Sequence, residues 1–284
     1  MVGKALKKYW PVFVLPTFAA FMIGFVWPFI WGIYLSFCKF TTVKKVTWIG
    51  LSNYLNVFKD DTFSHSFWLT VLFAILSSVL INVLAFLVAL ALTQKFKGTN
   101  VFRTIFFMPN LIGGIVLGYI WQTILNGLLS AWGQPLLALS ARNGFIGMLI
   151  LLCWQQIGYM MIIYIAGLNN VSPDLLEAAS IDGATSVQTL FKVKIPMIMP
   201  SVTICTFLTL TNGFKMFDQN LSLTAGEPAK QSMLLALNIY DTYYSRSGAQ
   251  WKGIGQAKAV IFFLIVVVIS LVQLRATTSR EVQA

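Results

Sequence analysis

Charge is scarce in this chain. Asp, Glu, Lys and Arg together make up 10% of its 284 residues, and there are only three cysteines and one histidine. A soluble domain devotes about a quarter of its residues to charge. So low a figure, with 57% hydrophobic residues, excludes an ordinary soluble domain and identifies an integral membrane protein. Cys38, Cys153 and Cys205 are odd in number, far apart and set in or beside apolar runs, which excludes a disulfide framework and casts them as small hydrophobes. His65 stands beside no cysteine or carboxylate cluster at ligand spacing, so no metal site is expected and His65 is read as a surface residue. Twenty basic against nine acidic residues give a formal net charge of +11. The basic side chains form short clusters flanking apolar segments, as membrane-flanking lysines do, which excludes nucleic acid as a partner.

Six stretches are long and apolar enough to cross the roughly 30 Å hydrocarbon layer, a task for about 20 residues. They cover 11–38, 67–93, 105–125, 145–168, 198–214 and 259–274. Continuous hydropathy, rather than alternation, makes each a helix. The expected fold is an all-α bundle of six transmembrane helices forming a single domain over 1–284 in contact with lipid. Lys4, Lys7 and Lys8 precede the first run in the manner of a secretory signal, but the run outlasts a signal core and lacks an A-x-A-like site, so it is expected to be an uncleaved span. With both termini in the cytoplasm, the basic residues divide evenly between the two faces. Those placed inside, including Lys95, Lys97, Arg103, Lys192, Lys194, Arg275 and Arg280, occupy the shorter segments and crowd the helix ends, which favours this orientation. Gly114 and Gly118 form a small-xxx-small pair suited to close helix packing, and Pro109 is expected to bend the third span. Lys215 and Asp218, three residues apart, have the spacing to pair on one helical face.

Between the fourth and fifth spans lies a polar passage, 169–197, with two successive helix signatures. Ser172 is placed as an N-cap, Pro173 suits the first helical position, Asp174 and Glu177 complement the positive helix end, and Gly183 can close the helix in a left-handed conformation. Thr185 and Gln188 then read as a T-x-x-Q capping box, and the second helix is expected to end before Pro196, which disfavours the helical region at Ile195. The result is two short helices joined at a glycine corner. An acidic first helix argues against passive residence on anionic headgroups.

The string formed by Glu177, Ala178, Ala179 and Gly183, followed by Val193, Ile195 and Pro196, resembles the coupling loop of binding-protein-dependent ABC importer permeases. Asp182 and Ala184 extend it to a D-G-A form similar to the carbohydrate-uptake branch. The stretches WIGLSNYLNVF, FRTIFFMPN and FKMFDQNLSLTAGEPA agree with that branch, so the likeness covers nearly the whole chain. Gly226, Glu227 and Pro228 depart from the G-G-G-P that the family often carries. The resemblance implies a half-channel in a bacterial plasma membrane, a multi-pass protein paired with a second, homologous permease and fed by an extracytoplasmic solute-binding protein. Two ATP-binding subunits would grip the coupling loop, with ATP and Mg used there and no cofactor bound by this chain. The chain has no G-x-x-x-x-G-K-[ST] phosphate loop, so it is expected to be a transport subunit and not an enzyme.

A sugar pathway calls for aromatic faces and neutral amides. The candidates in or near the spans are Asn82, Asn110, Trp121, Trp154, Gln155, Tyr159, Asn212 and Phe217, whose alternative roles are interfacial belts and bridges between helices. The span centres hold no ionisable residue, which counts against an ion-coupled secondary transporter. The same lack of a buried cation favours an uncharged di- or oligosaccharide over glycerol phosphate, the alternative cargo of this branch.

Overall fold

The computed structural model describes residues 2–42, 44–94 and 97–279, with side chains from residue 9 onward. Lys95 and Arg280, and the side chains of Lys4, Lys7 and Lys8, lie outside the described residues. In chain order the helices begin with α1 (Val2–Phe21) and α2 (Trp27–Ser36), joined by a π-helical turn at Met22–Val26. An antiparallel hairpin of β1 (Cys38–Phe40) and β2 (Val46–Trp48) follows, then α3 (Ser52–Phe58), α4 (Asp61–Leu92), α5 (Thr99–Phe107), α6 (Gly114–Ala131) and α7 (Ala141–Asn169). The remainder comprises α8 (Pro173–Ile181), α9 (Ser186–Thr189), α10 (Ile195–Met197), α11 (Met199–Phe214), α12 (Asp218–Leu223), α13 (Leu235–Tyr240) and α14 (Ala249–Thr278). Tyr9–Ser36, α4, α6, α7 and α14 are each long and apolar enough to cross a membrane, and Ser186–Met197 with α11 makes a sixth candidate bent by 72°. The described residues thus form a helical protein with five or six segments able to cross a membrane, to which the hairpin is a small addition.

Pro11 and Pro16 lie within α1, whereas at Pro28, Pro196 and Pro109 the effect of proline is absorbed in two different ways. Proline lacks an N–H and its ring clashes with the carbonyl four residues back. The π turn at Met22–Val26 ends two residues before Pro28, and a second at Leu190–Lys194 ends two residues before Pro196. In each, the next N–H bonds five residues back, from Trp27 to Met22 O and from Ile195 to Leu190 O, so the widened turn makes room for the ring. The expectation that the helix stops before Pro196 is therefore corrected: Ile195 is helical (φ −60°, ψ −47°) and the break falls at Ile198 (φ −95°, ψ 10°). Pro109 instead ends its helix. After α5 comes a 3-10 turn at Met108–Leu111, then extended backbone at Ile112 and Gly113. The expected third span, 105–125, is thus two helices, and the membrane-crossing piece is α6.

The chain forms two compact units. In the unit made of Thr62–Asn238 and Leu264–Ala284, α7 is the central helix. Its Met148, Leu151, Leu152, Met160, Met161 and Tyr164 pack with Phe73, Ile81, Ala85 and Ala89 of α4, Leu117 of α6 and Cys205 of α11. Gly114 and Gly118 face α12: a Cβ on Gly114 would come within 2.8 Å of Asp218 Cβ, and one on Gly118 within 2.6 Å of Ser222 Cβ, so only glycine permits this approach. In the unit made of Met1–Asp61 and Ile239–Phe263, Leu35, Cys38 and Phe40 form a small core with Val46 and Tyr243. There α14 begins ten residues before the expected start at 259, so Lys258 lies inside the helix and is fully buried. Its Nζ donates at 2.8 Å to Asp60 Oδ2 and at 2.8 Å to Thr242 Oγ1, and this charge compensation is what lets a lysine extend the helix inward.

Candidate functional site

Two features of the larger unit carry functional residues, a solvent-facing corner and a polar cavity, and α11 links them. At the corner, Ser172 Oγ accepts the Asp174 N–H and Pro173 opens α8. The helix ends in a left-handed Gly183 (φ +76°), whose N–H donates to Ser180 O while the Ala184 N–H donates to Ala179 O at 2.9 Å. This double closure satisfies the last carbonyls and explains why a glycine stands there. The chain then turns directly into the capping box: Thr185 N–H donates to Gln188 Oε1 at 2.8 Å and Gln188 N–H to Thr185 Oγ1 at 3.3 Å. Glu177, Ala178, Asp182 and Gly183 are exposed, Ala179, Ala184 and Pro196 half-buried. Ile181 is 86% exposed, and Val187 (64%) and Phe191 (63%) also stand in the open. Acidic groups thus flank a shallow, partly apolar surface.

The other feature is a cavity of about 240 Å³ lined by Leu152, Gln156, Asn212, Lys215, Met216, Phe217, Asp218 and Gln219. Neutral amides dominate its polar wall. Asn212 Nδ2 donates to Gln156 Oε1 at 3.3 Å, and Gln219 Nε2 donates at 2.8 Å to Gln155 Oε1, whose own amide donates to Ile112 O at 3.2 Å. Of the sequence-derived candidates, Asn212 and Phe217 line this space and Gln155 supports it. Asn82 is set elsewhere, in a bridge between helices: its amide donates to Ser78 O and Thr209 Oγ1, each at 2.8 Å, and its Oδ1 accepts from Tyr164 OH at 2.6 Å. Trp121 and Trp154 meet edge to face at 5.3 Å, Tyr159 lies 6.4 Å from Phe107, and Asn110 is half-buried in the 3-10 turn. Lys215 and Asp218 do not share a helical face, because α11 ends at Phe214 and α12 begins at Asp218.

Sequence reading missed Gln156, Gln219 and Asn220. The doubled amide at 155–156 was a usable signal for the first; nothing local marked the others. Asn220 is fully buried and organises the segment after α12, donating to Ser232 O at 2.9 Å and accepting the Leu234 N–H at 2.8 Å.

Residues 81–277 match the family described as "Binding-protein-dependent transport system inner membrane component". The chain belongs to that family. Over 97% of its length it is 43% identical to a protein named a probable starch degradation products transport system permease protein, AmyD, of Thermoanaerobacterium thermosulfurigenes, of which 95% is covered. It is 28% identical to the sn-glycerol-3-phosphate transport system permease protein UgpA of Brucella abortus, with 96% of each chain covered. Among solved structures, a bacterial ABC transporter involved in import of the acidic polysaccharide alginate matches with a TM-score of 0.80 at 22% identity, covering 98% of both chains, a likeness of fold. An inner membrane component of this kind is a transport subunit rather than an enzyme.

Proposed function

We propose that this permease is one of the two membrane-spanning halves of an ATP-driven importer and carries a neutral sugar, of di- or oligosaccharide size, delivered by an extracytoplasmic solute-binding protein. A second homologous permease completes the pathway, and two ATPase subunits, using ATP and Mg, grip the corner in the cytoplasm, where both termini also lie. One observation carries the reading: a corner capped at both of its helices, with Glu177 and Asp182 exposed beside Ile181, Val187 and Phe191. Local caps make it stiff without help from the rest of the chain, as a lever must be.

The route from corner to cargo runs along one helix. The corner continues through α9 and α10 to Ile198, where it meets α11 at 72°. A displacement of the corner becomes a swing of α11, a rod of 16 residues and about 24 Å. Its far end holds Asn212 and leads into Lys215, both lining the cavity. Glu177 anchors the ATPase contact, Ala178 and Ala179 allow close approach, and Gly183 supplies the turn with Asp182 and Ala184 on either side.

Support for a neutral cargo comes from the cavity wall. Gln156, Asn212 and Gln219 can replace water around hydroxyls, Phe217 offers a ring face, and Lys215 and Asp218 bring one formal charge of each sign to the same wall. The relative named for starch degradation products agrees with this reading. Uptake by proteoliposomes holding the complete transporter tests it. Gly183→Val is expected to abolish both uptake and binding-protein-stimulated ATP hydrolysis, since a β-branched residue resists φ +76°. Retention of both, or uphill uptake on an ion gradient without the ATPase, overturns the reading.

A further inference from the structure

The segment that follows the first span has one face fastened and one face bare. Asn53 of α3 donates from Nδ2 to Ser36 O at 2.8 Å and to Cys38 O at 2.9 Å, and Tyr54 OH lies 2.6 Å from Ser36 Oγ. Val57 is fully buried on the same face. These contacts fix α3 and the hairpin rigidly to the end of the span. On the other face Leu51 (64% exposed), Leu55 (61%) and Phe58 (74%) recur at the helical spacing of four and three residues. Single exposed apolar side chains are ordinary. A periodic stripe of three is not, and here it adjoins a chain of ring contacts: Trp31 to Tyr34 at 5.1 Å, Tyr34 to Trp48 at 5.7 Å, Trp48 to Phe37 at 5.3 Å and Phe37 to Tyr54 at 5.2 Å.

Position and charge identify what covers it. The apolar helix Tyr9–Ser36 has 28 residues, about 42 Å long, and outruns the roughly 30 Å hydrocarbon core, so its last turns reach the headgroups. Trp31, Tyr34 and Trp48 are the residue types that settle at that depth, with the ring in the acyl boundary and the polar atom in water. The charges carried by the hairpin and α3 are basic: Lys39, Lys44, Lys45 and Lys59 are exposed, and the acidic residues that follow are Asp60, which pairs with Lys258, and the exposed Asp61 at the start of α4. An apolar stripe, a Trp/Tyr ladder and four exposed lysines together match a membrane surface bearing anionic headgroups.

We infer that α3 and the hairpin form an interfacial anchor, with Leu51, Leu55 and Phe58 seated at the acyl boundary and Lys39, Lys44, Lys45 and Lys59 on anionic lipid headgroups. The anchor holds the exit of the first span at a set depth. The inference requires only that the chain spans the membrane, not which sugar it carries.

The complete transporter in lipid nanodiscs tests it, with a nitroxide attached at Leu55→Cys, at Phe58→Cys and, as an off-stripe control, at the exposed Asn56→Cys. The native cysteines are all buried and do not compete for the label. Collision of the nitroxide with oxygen, which partitions into lipid, is compared with collision with a water-soluble nickel chelate. At positions 55 and 58 the oxygen-to-nickel ratio is expected to exceed that at 56 several-fold, and to rise further when phosphatidylglycerol is added to phosphatidylcholine. A ratio equal to the control means the stripe faces water, and low collision with both probes means a protein covers it, whether the second permease or the binding protein. Either result overturns the anchor. Indifference to phosphatidylglycerol overturns the headgroup assignment.

Discussion

In the unit formed by Met1–Asp61 and Ile239–Phe263 a lysine is fully buried, whereas among the described residues of the other unit every fully buried polar side chain is an amide or a hydroxyl. The ions come as a set. Lys258 bonds Asp60 and Thr242, Arg246 lies 3.5 Å from Asp60 and 3.8 Å from Asp241, and each charge depends on the next. Such sets are rigid, because an ion in a low-dielectric setting cannot exchange partners without a large cost. Amides are tolerant. Gln155, Gln156, Asn212 and Gln219 bond one another through neutral groups, which can be traded for a passing hydroxyl at little net change, since one hydrogen bond replaces another. The contrast places stiffness in one unit and exchangeable polarity in the one that holds the cavity.

Breaking the ion set gives the largest expected effect. Asp60→Ala removes the carboxylate to which the buried Lys258 donates and is expected to cost about 3–5 kcal/mol, seen as a steep loss of folded protein in thermal unfolding of the purified subunit. Adding Lys258→Met should recover most of that loss, because the apolar side chain keeps the volume without the charge. If Asp60→Ala alone is neutral, the ions are not a unit. Next comes Asn220→Ala, which strands the Leu234 N–H and the Ser232 carbonyl and is expected to cost about 2 kcal/mol or more by the same assay.

Substitutions at the corner and the cavity are expected to do less. Gly183→Ala forces a Cβ into the left-handed region at a cost of about 1–2 kcal/mol, though open space around the site leaves no clash. It should therefore impair coupling more than folding, measured as ATP hydrolysed per sugar imported. Thr185→Ala removes half of the capping box and is expected to cost about 1 kcal/mol, with amide exchange faster in 185–189 only. Gln156→Leu should leave stability almost unchanged and raise the KM for uptake, which separates an exchangeable amide from a structural one.

Legibility followed the range of the interaction. The corner could be read in detail because Ser172, Gly183, Thr185 and Gln188 act on backbone groups within five residues of themselves, and both caps are present. The apolar stretches were legible too, except that the third, 105–125, is divided by the break at Pro109. Proline was ambiguous, since Pro109 breaks its helix while Pro28 and Pro196 are carried through by π turns. The pathway candidates were chosen by residue type alone, and the same type, asparagine, serves at 82 as a bridge between helices and at 212 as cavity lining.

Residue order alone settled that this chain crosses a membrane repeatedly and carries a capped polar corner, because hydropathy and capping are properties of neighbours along the chain. Tertiary structure decided the bend at Ile198, the burial of Lys258 and the partners of each amide. Asp60 and Lys258 stand 198 positions apart, and no local preference of either residue specifies a contact at that separation. Only the packed helices bring the two charges together, and the cost of leaving either one alone keeps them there.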